Sequence, residues 1–333
     1  MENVLNNIEA ICLFTGTNGR RGCTGNCLGC FADDFDQSKP MYQGSLTQVR
    51  ELLSLLPNLK RVNIYGNPDP SVDPEFCNEV AKLCQQMGIQ VAFFTNGVRF
   101  EKTVNKLIDG LDPSLIHAIC FSIDSLDEKK DAAMKGVEIS HQSIFQTMEN
   151  LQRMGIDIQA QFTIWPINMD EDWSAYKEFF ESRGVYINGR FGNVENAKGR
   201  IQHVPEEKIL EIRERHKDVR LSVLLANDEE YNHYLSTLVA NDEFRCTDLR
   251  KVNVFLTEDE IKAFYFCPMV STVYPEYYKN IRDLSLPFFH EQLLETGICP
   301  IAEYATGFKS ATLHHICRYH KNLPKKLLPK RIV

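Results

Sequence analysis

The sequence predicts an α/β fold in which a parallel sheet curls into an incomplete barrel, with helices outside and a polar lumen. Two observations predict it. Over roughly the first 200 residues, six short apolar runs alternate with amphipathic stretches, the pattern of right-handed β–α–β units in series. Four of the strands also carry one polar face. Asn63, Tyr65 and Asn67 oppose Val62 and Ile64, and Cys120, Ser122 and Asp124 oppose Ile119, Phe121 and Ile123. Gln159, Gln161 and Thr163 oppose Ile158, Ala160, Phe162 and Ile164, while Asn188 and Arg190 share a face of the sixth strand. A sheet with helices on both sides is apolar on both faces. A closed eight-stranded barrel fills its interior with branched apolar side chains.

The elements follow in order. Ile8–Thr15 is an apolar run and reads as the first strand. The later strands are Lys60–Tyr65, Gln90–Thr95, Ile116–Asp124, Asp157–Trp165 and Val185–Phe191. Between them lie amphipathic helices at Leu46–Leu56, Pro74–Met87, Glu101–Ile108, His141–Met154 and Glu171–Arg183. Cys77 and Cys84 share one face of the second helix and read as core residues, as do the strand cysteines Cys12 and Cys120. The pattern changes after residue 200. Pro205–Lys217 and Asn227–Ala240 read as helices and Arg220–Ala226 as a strand. Val252–Leu256 and Ile261–Phe266 flank Thr257-Glu258-Asp259-Glu260 as a β-hairpin. The basic tail from Lys325 to Arg331 reads as a solvated end. Two domains are expected, 1–200 and 201–333.

Composition narrows the function. The chain of 333 residues is 43% hydrophobic and 25% charged, enough to bury a sizeable core. No run of about 18 apolar residues is present, and no secretion signal opens the chain. A net charge of −8 argues against nucleic-acid binding and suits a cytoplasmic protein with no membrane partner. The eleven cysteines, an odd number, point to metal or redox chemistry and not to a disulfide framework.

The strongest local signal is Cys23-Thr24-Gly25-Asn26-Cys27-Leu28-Gly29-Cys30, directly after the first strand. Interleaved glycines let the loop curl so that sulfurs converge. A tetrahedral zinc site needs a fourth ligand, which here would come from a distant residue. Three thiolates on a 4Fe–4S cube leave one iron open to a small molecule.

With its strand-end motifs, this loop resembles the radical SAM superfamily over residues 8–200. The resemblance implies a partial (β/α)6, TIM-like barrel whose 4Fe–4S cluster, on Cys23, Cys27 and Cys30, binds S-adenosylmethionine (SAM). Tyr65-Gly66-Asn67-Pro68 stands where the family has Gly-Gly-Glu-Pro, placing Gly66, Asn67 and Pro68 at the SAM amino group. Thr95-Asn96-Gly97 and Ser122-Ile123-Asp124 match further strand ends, and Gly155-Ile156 and Asn168 also fit. Thr95, Asn96, Ser122 and Asp124 are thereby candidate cofactor contacts; the lumen faces of the strands add Gln161, Asn188 and Arg190, the last two as candidates for the SAM carboxylate or ribose. There are departures: Asn67 replaces Glu, Tyr65 replaces Gly, and Gly29 stands where an aromatic residue near adenine is usual, a place Phe31 could fill.

The stretch Val252–Cys267 resembles the hairpin of the twitch and SPASM extensions, which bind further clusters. Cys246, Cys267, Cys299 and Cys317 suffice for one auxiliary 4Fe–4S cluster, although the close Cys pairs of that subgroup are absent. His314, His315 or His320 could replace a thiolate; structural zinc or ordinary core thiols are the alternatives. Such proteins cleave SAM with one electron from a flavodoxin- or ferredoxin-type reductant, and the 5′-deoxyadenosyl radical takes a substrate hydrogen. A ribosomal peptide is the favoured substrate. A small carbohydrate-like metabolite to be dehydrogenated or rearranged is the alternative, and a plain iron–sulfur carrier or redox sensor is the non-enzymatic one.

Overall fold

The computed structural model describes residues 4–16, 23–30, 42–66, 69–192, 204–219, 221, 251–265 and 279–284. Its strands are β1 Ala10–Phe14, β2 Arg61–Gly66, β3 Gln90–Thr95, β4 Ile116–Ser122, β5 Ile158–Ile164, β6 Tyr186–Phe191, β7 Lys251–Leu256, β8 Ile261–Tyr265 and β9 Lys279–Asn280. They form one nine-stranded sheet in the order β6-β5-β4-β3-β2-β1-β7-β8-β9. The first six strands are parallel and each lies beside its sequence neighbour. Right-handed crossovers that always advance the same way put every connecting helix on the same face. A doubly wound sheet instead reverses its order at a switch point to cover both faces. The one-way order leaves the second face as a lumen, so the structure is the open partial barrel expected.

The helices are α1 Leu46–Leu55, α2 Pro74–Gln86, α3 Phe100–Ile108, α4 Glu128–Lys135, α5 His141–Arg153, α6 Trp173–Glu181 and α7 Glu206–Arg215. Side-chain caps start several of them. Ser45 and Gln48 make a reciprocal capping box on α1, and Asp73, Ser140 and Asp172 accept amides at α2, α5 and α6. All but one of the helices among the first six were legible as apolar stripes. Helix α4 was not, because its sequence EKKDAAMK has no stripe: its buried residues are Asp131, Met134 and Lys135.

The helix-side core holds the apolar face of each strand, including Val62, Ile64, Ile119, Phe121, Ile158, Ala160 and Phe162, against helix residues such as Trp173, Tyr176 and Phe180. Phe162 stacks on Trp173 with ring centroids 4.4 Å apart. Strand β5 alternates buried and half-buried residues without exception, so Gln159, Gln161 and Thr163 face away from the helices as the alternation predicts. The buried thiols Cys77 and Cys84 lie in the helix-side core.

The lumen differs from the expectation in one respect. Polar side chains run over β4–β6 and include the buried Asn63 on β2, whose Nδ2 reaches Cys12 Sγ at 3.6 Å, but a row of rings stands beside them. The row crosses β7, β1, β2 and β3: Phe255 stacks on Phe14 at 4.3 Å, Phe14 on Tyr65 at 5.0 Å, and Tyr65 on Phe94 at 4.5 Å. Tyr65 counts as polar in an alternation pattern, yet its ring is the part these neighbours use.

The hairpin at 251–265 is present, with β7 and β8 antiparallel. It does not stand apart from the barrel, since β7 pairs in parallel with β1 and extends the sheet. Leu221 bridges Gly189 beside β6. The remainder of the strand read at 220–226, the helix read at 227–240 and the basic tail lie outside the described residues.

The two strand faces make opposite predictions. Phe162→Ala, on the helix side, should cost about 3–5 kcal/mol of stability. Gln159→Ala, on the lumen side of the same strand, should cost no more than about 1 kcal/mol. Chemical unfolding midpoints of the two variants check this; equal losses would mean the register is wrong.

Candidate functional site

The three-cysteine loop leaves β1 at the C-terminal end of the sheet, and three contacts hold it there. Asn96 Nδ2, at the end of β3, donates to Thr24 Oγ1 at 3.1 Å and reaches Cys23 Sγ at 3.7 Å. Asn26 N and Leu28 N donate to the carbonyls of Lys135 and Met134 at 2.7 and 2.9 Å. The third contact is a close approach: a Cβ on Gly29 would lie 2.3 Å from Trp165 Cζ2, and one on Gly192 2.3 Å from Trp165 Cδ2. Any side chain at 29 would collide with the indole, so Trp165, at the end of β5, occupies the space the missing side chain leaves. Phe31, the alternative source of a ring, lies outside the described residues.

Burial pushes the Cys23 thiol up to about 11 and the Cys27 thiol up to about 12, and the neighbouring thiols, Cys30 included, add to both. Thiols so desolvated and mutually opposed ionise only beside a strong positive centre. Among the described residues no three His, Cys, Asp or Glu side chains gather tightly enough to hold one metal ion. Three thiols on one glycine-rich loop have the donor chemistry of a three-ligand iron–sulfur cube, so the donor set fits the expected group.

At the end of β2, Gly66 has φ +73°, and a Cβ there would lie 2.5 Å from the Asp69 carbonyl carbon and Pro70 nitrogen. Only glycine lets the chain fold back so sharply. The turn delivers Asp69, which the sequence reading missed. Its buried carboxylate accepts from Ser71 N at 2.9 Å, Ser71 Oγ at 2.7 Å, Asn96 N at 2.8 Å and Thr95 Oγ1 at 3.2 Å. Asp69 thus locks the ends of β2 and β3 together, and Thr95 serves that lock. The signal was present in Gly66-Asn67-Pro68-Asp69-Pro70, where an Asp between prolines is a turn residue able to accept nearby amides. Asn67 and Pro68 themselves lie outside the described residues, as do Cys246, Cys267, Cys299 and Cys317.

The remaining candidates converge on the polar half of the lumen. Gln161 stands in register between Ser122 and Asn188, and Thr163 pairs with Arg190, whose Nε donates to Thr163 Oγ1 at 3.2 Å. Thr163 N donates to Asp124 Oδ1 at 2.7 Å. Asn168, wholly buried, ties this corner: its Nδ2 donates to the carbonyls of Asp124 (2.6 Å) and Thr163 (2.9 Å), and its Oδ1 accepts from Trp165 N. The Tyr176 hydroxyl caps the Ile123 carbonyl at 2.6 Å from the helix side. Ser122, Asp124, Gln161, Asn188 and Arg190 are therefore brought to one place.

Burial, and then Asp131, raise the Asp124 carboxyl to about 6, against the pull of Lys135, the Thr163 amide and Arg190. A carboxyl raised on folding stabilises the fold while protonated. That contribution is full below the unfolded pKa of about 4 and is lost as pH rises through about 6. Unfolding free energy should thus carry a component that falls with rising pH across this window, and Asp124→Asn should remove it. Chemical unfolding at stepped pH checks the slope; an unchanged slope in the variant would refute the assignment.

Residues 17–180 match the family model of the radical SAM superfamily. No curated protein matches the chain. Among solved structures, the chain is similar to Streptococcus suis SuiB bound to precursor peptide SuiA, at 11% identity over 94% of this chain and 76% of that one, with a TM-score of 0.61. It is also similar to anSMEcpe with bound AdoMet, at 13% identity over 96% and 89% with a TM-score of 0.56. A second anSMEcpe structure, with AdoMet and the Cp18Cys peptide, gives 13% identity over 96% and 92% with a TM-score of 0.55. At these identities the likeness is one of fold. The superfamily uses a 4Fe–4S cluster and SAM, and the cysteine loop, the strand-end motifs and the family match agree: residues 17–180 of this chain are a radical SAM domain.

Proposed function

We propose that this chain reductively cleaves SAM and uses the 5′-deoxyadenosyl radical to take a hydrogen atom from a peptide. The observation that carries the reading is the three-cysteine loop, held at the C-terminal strand ends beside the polar half of the lumen. A 4Fe–4S cluster on Cys23, Cys27 and Cys30 would supply the electron to the SAM sulfonium when bound, and a flavodoxin- or ferredoxin-type protein would replenish it.

The chain's own residues bind, orient and shield. The tight turn after Gly66, with Asn67 and Pro68, meets the SAM amino group. Asn188 and Arg190 meet its carboxylate or ribose, and Ser122, Asp124 and Gln161 complete the polar wall. Asn96 braces the loop from below. The stacked rings of Phe255, Phe14, Tyr65 and Phe94 fill the opposite half of the lumen and keep water from it. A peptide is favoured because two of the similar structures hold peptides. The side-chain amides and hydroxyl of Gln159, Gln161, Thr163 and Asn188 would equally suit a hydroxyl-rich metabolite, which is the second reading. Residues 201–333 would form the covering region, with Cys246, Cys267, Cys299 and Cys317 as ligands of an auxiliary 4Fe–4S cluster. The net charge of −8 suits a cytoplasmic setting.

Anaerobically reconstituted protein given SAM and dithionite should form 5′-deoxyadenosine. Cys23→Ala, Cys27→Ala and Cys30→Ala should each abolish it, since each thiolate holds a different iron; wild-type yield in any of them would sink the assignment. A peptide substrate should gain the hydrogen-transfer signature, deuterium from a labelled residue appearing in 5′-deoxyadenosine. Labelled sugars doing so in its place would favour the second reading.

Iron content tests the auxiliary cluster separately. Reconstituted wild type should bind about eight irons, two cubes of four. Removing Cys23, Cys27 and Cys30 together should leave about four on the same stoichiometry. A triple variant devoid of iron and sulfide would leave a single-cluster enzyme.

A further inference from the structure

Helix α4 ends against the middle of the cysteine loop. The two amides that donate to it, those of Asn26 and Leu28, bracket Cys27. A Cβ on Gly136, the left-handed cap of α4, would lie 2.6 Å from Asn26 O, so glycine is what lets helix and loop meet. The helix in turn is fixed by an ion pair inside the protein. Lys135 Nζ lies 2.9 Å from Asp131 Oδ2, with the two side chains only 1% and 0% exposed. His141 Nε2 meets the same oxygen at 2.9 Å, and Asp131 Oδ1 accepts from Asp124 N at 3.1 Å. Glu128 faces the pair only indirectly, its carboxylate accepting from His141 N.

A buried pair of this kind is weak as a stabiliser, because desolvating both charges offsets their attraction. The Asp131 carboxylate is accounted for by the Asp124 amide it accepts from, but the charge on Lys135 is not, and its position provides an explanation. Lys135 is the residue whose carbonyl accepts from Asn26 N, next to Cys27, and its buried ammonium is held one turn back on the same helix by Asp131, which also accepts from Asp124 N. Arg190 stands on the Asp124 side of the same corner, where both residues bond to Thr163.

We propose that the Asp131–Lys135 pair is a positioning pair that sets the charge at the Cys27 corner of the cluster and, through it, the cluster's reduction potential. The inference rests on the cluster reading above. Reduction adds a negative charge to the cluster, so a cation held nearby in a low-dielectric setting stabilises the reduced form and an anion opposes it. Lys135 and Asp131 pull in opposite directions, and the wild-type potential reflects their near-cancellation.

The test is an EPR-monitored redox titration of the anaerobically reconstituted full chain, following the reduced-cluster signal that Cys27→Ala abolishes. Lys135→Met should shift the midpoint to more negative values and Asp131→Asn to more positive ones. The double variant should return towards wild type, and Lys135→Arg should stay at wild type. Should the single variants fail to hold the cluster, a double variant that holds it at the wild-type midpoint supports the proposal, because charge balance and not shape is then what matters. Shifts of the same sign in the two single variants, no shift in either, or a double variant without a cluster would overturn it. Absence of any Cys27-dependent signal in the wild-type chain would overturn the cluster reading first, and this inference with it.

Discussion

The first six strands of this barrel are laid down in one direction, each beside its predecessor, and right-handed connections then leave no choice about where the helices go. All of them cover one face. The uncovered face must be satisfied by other means, and the two halves of the sheet do so differently. On β7, β1, β2 and β3 four rings stack on one another. On β4, β5 and β6 polar side chains bond across the strands. A lumen with one ring-lined wall and one hydrogen-bonding wall follows from that arrangement, and the C-terminal strand ends become the rim on which reactive groups can be displayed.

Holding groups on such a rim requires buried polar hubs, because the chain turns sharply at every strand end and leaves amides and carbonyls without ladder partners. Asp69 serves the ends of β2 and β3, Asn168 the ends of β4 and β5, and Asp131 the junction of β4 with α4. Each hub satisfies several backbone or side-chain donors at once. The cysteine loop makes few bonds within itself among the described residues and borrows its shape from Asn96, from the end of α4 and from the surface of Trp165. Its geometry is therefore imposed by three elements remote in sequence. This is how a glycine-rich loop can present three thiols in fixed relation without a core of its own.

The glycines at 29 and 192 show the same division of labour. Neither is needed for an unusual backbone angle; both are needed because an indole lies where their side chains would be. The departure from the family pattern at Gly29 and the presence of a tryptophan at the end of β5 are thus two sides of one steric fact, and either change alone would force the loop and the strand end apart.

The sequence by itself determined the alternation of strands and helices, the face each strand turns to its helices, and the loop that carries the thiols. These depend on local periodicity and on a compact motif, both written in consecutive residues. It also placed Ser122, Asp124, Gln161, Asn188 and Arg190 on lumen faces, because period-two alternation survives folding unchanged. Only the tertiary structure decided that β7 would pair with β1, since a free strand edge accepts any partner whose apolar face fits the existing core. Only it revealed α4, whose inward side is a salt bridge and so leaves no apolar stripe to read. Tyr65 joined an aromatic stack, and Asp69 became a hub, for a related reason. An amphipathic ring and a turn carboxylate take their roles from neighbours that folding brings to them, and no spacing along the chain encodes those neighbours.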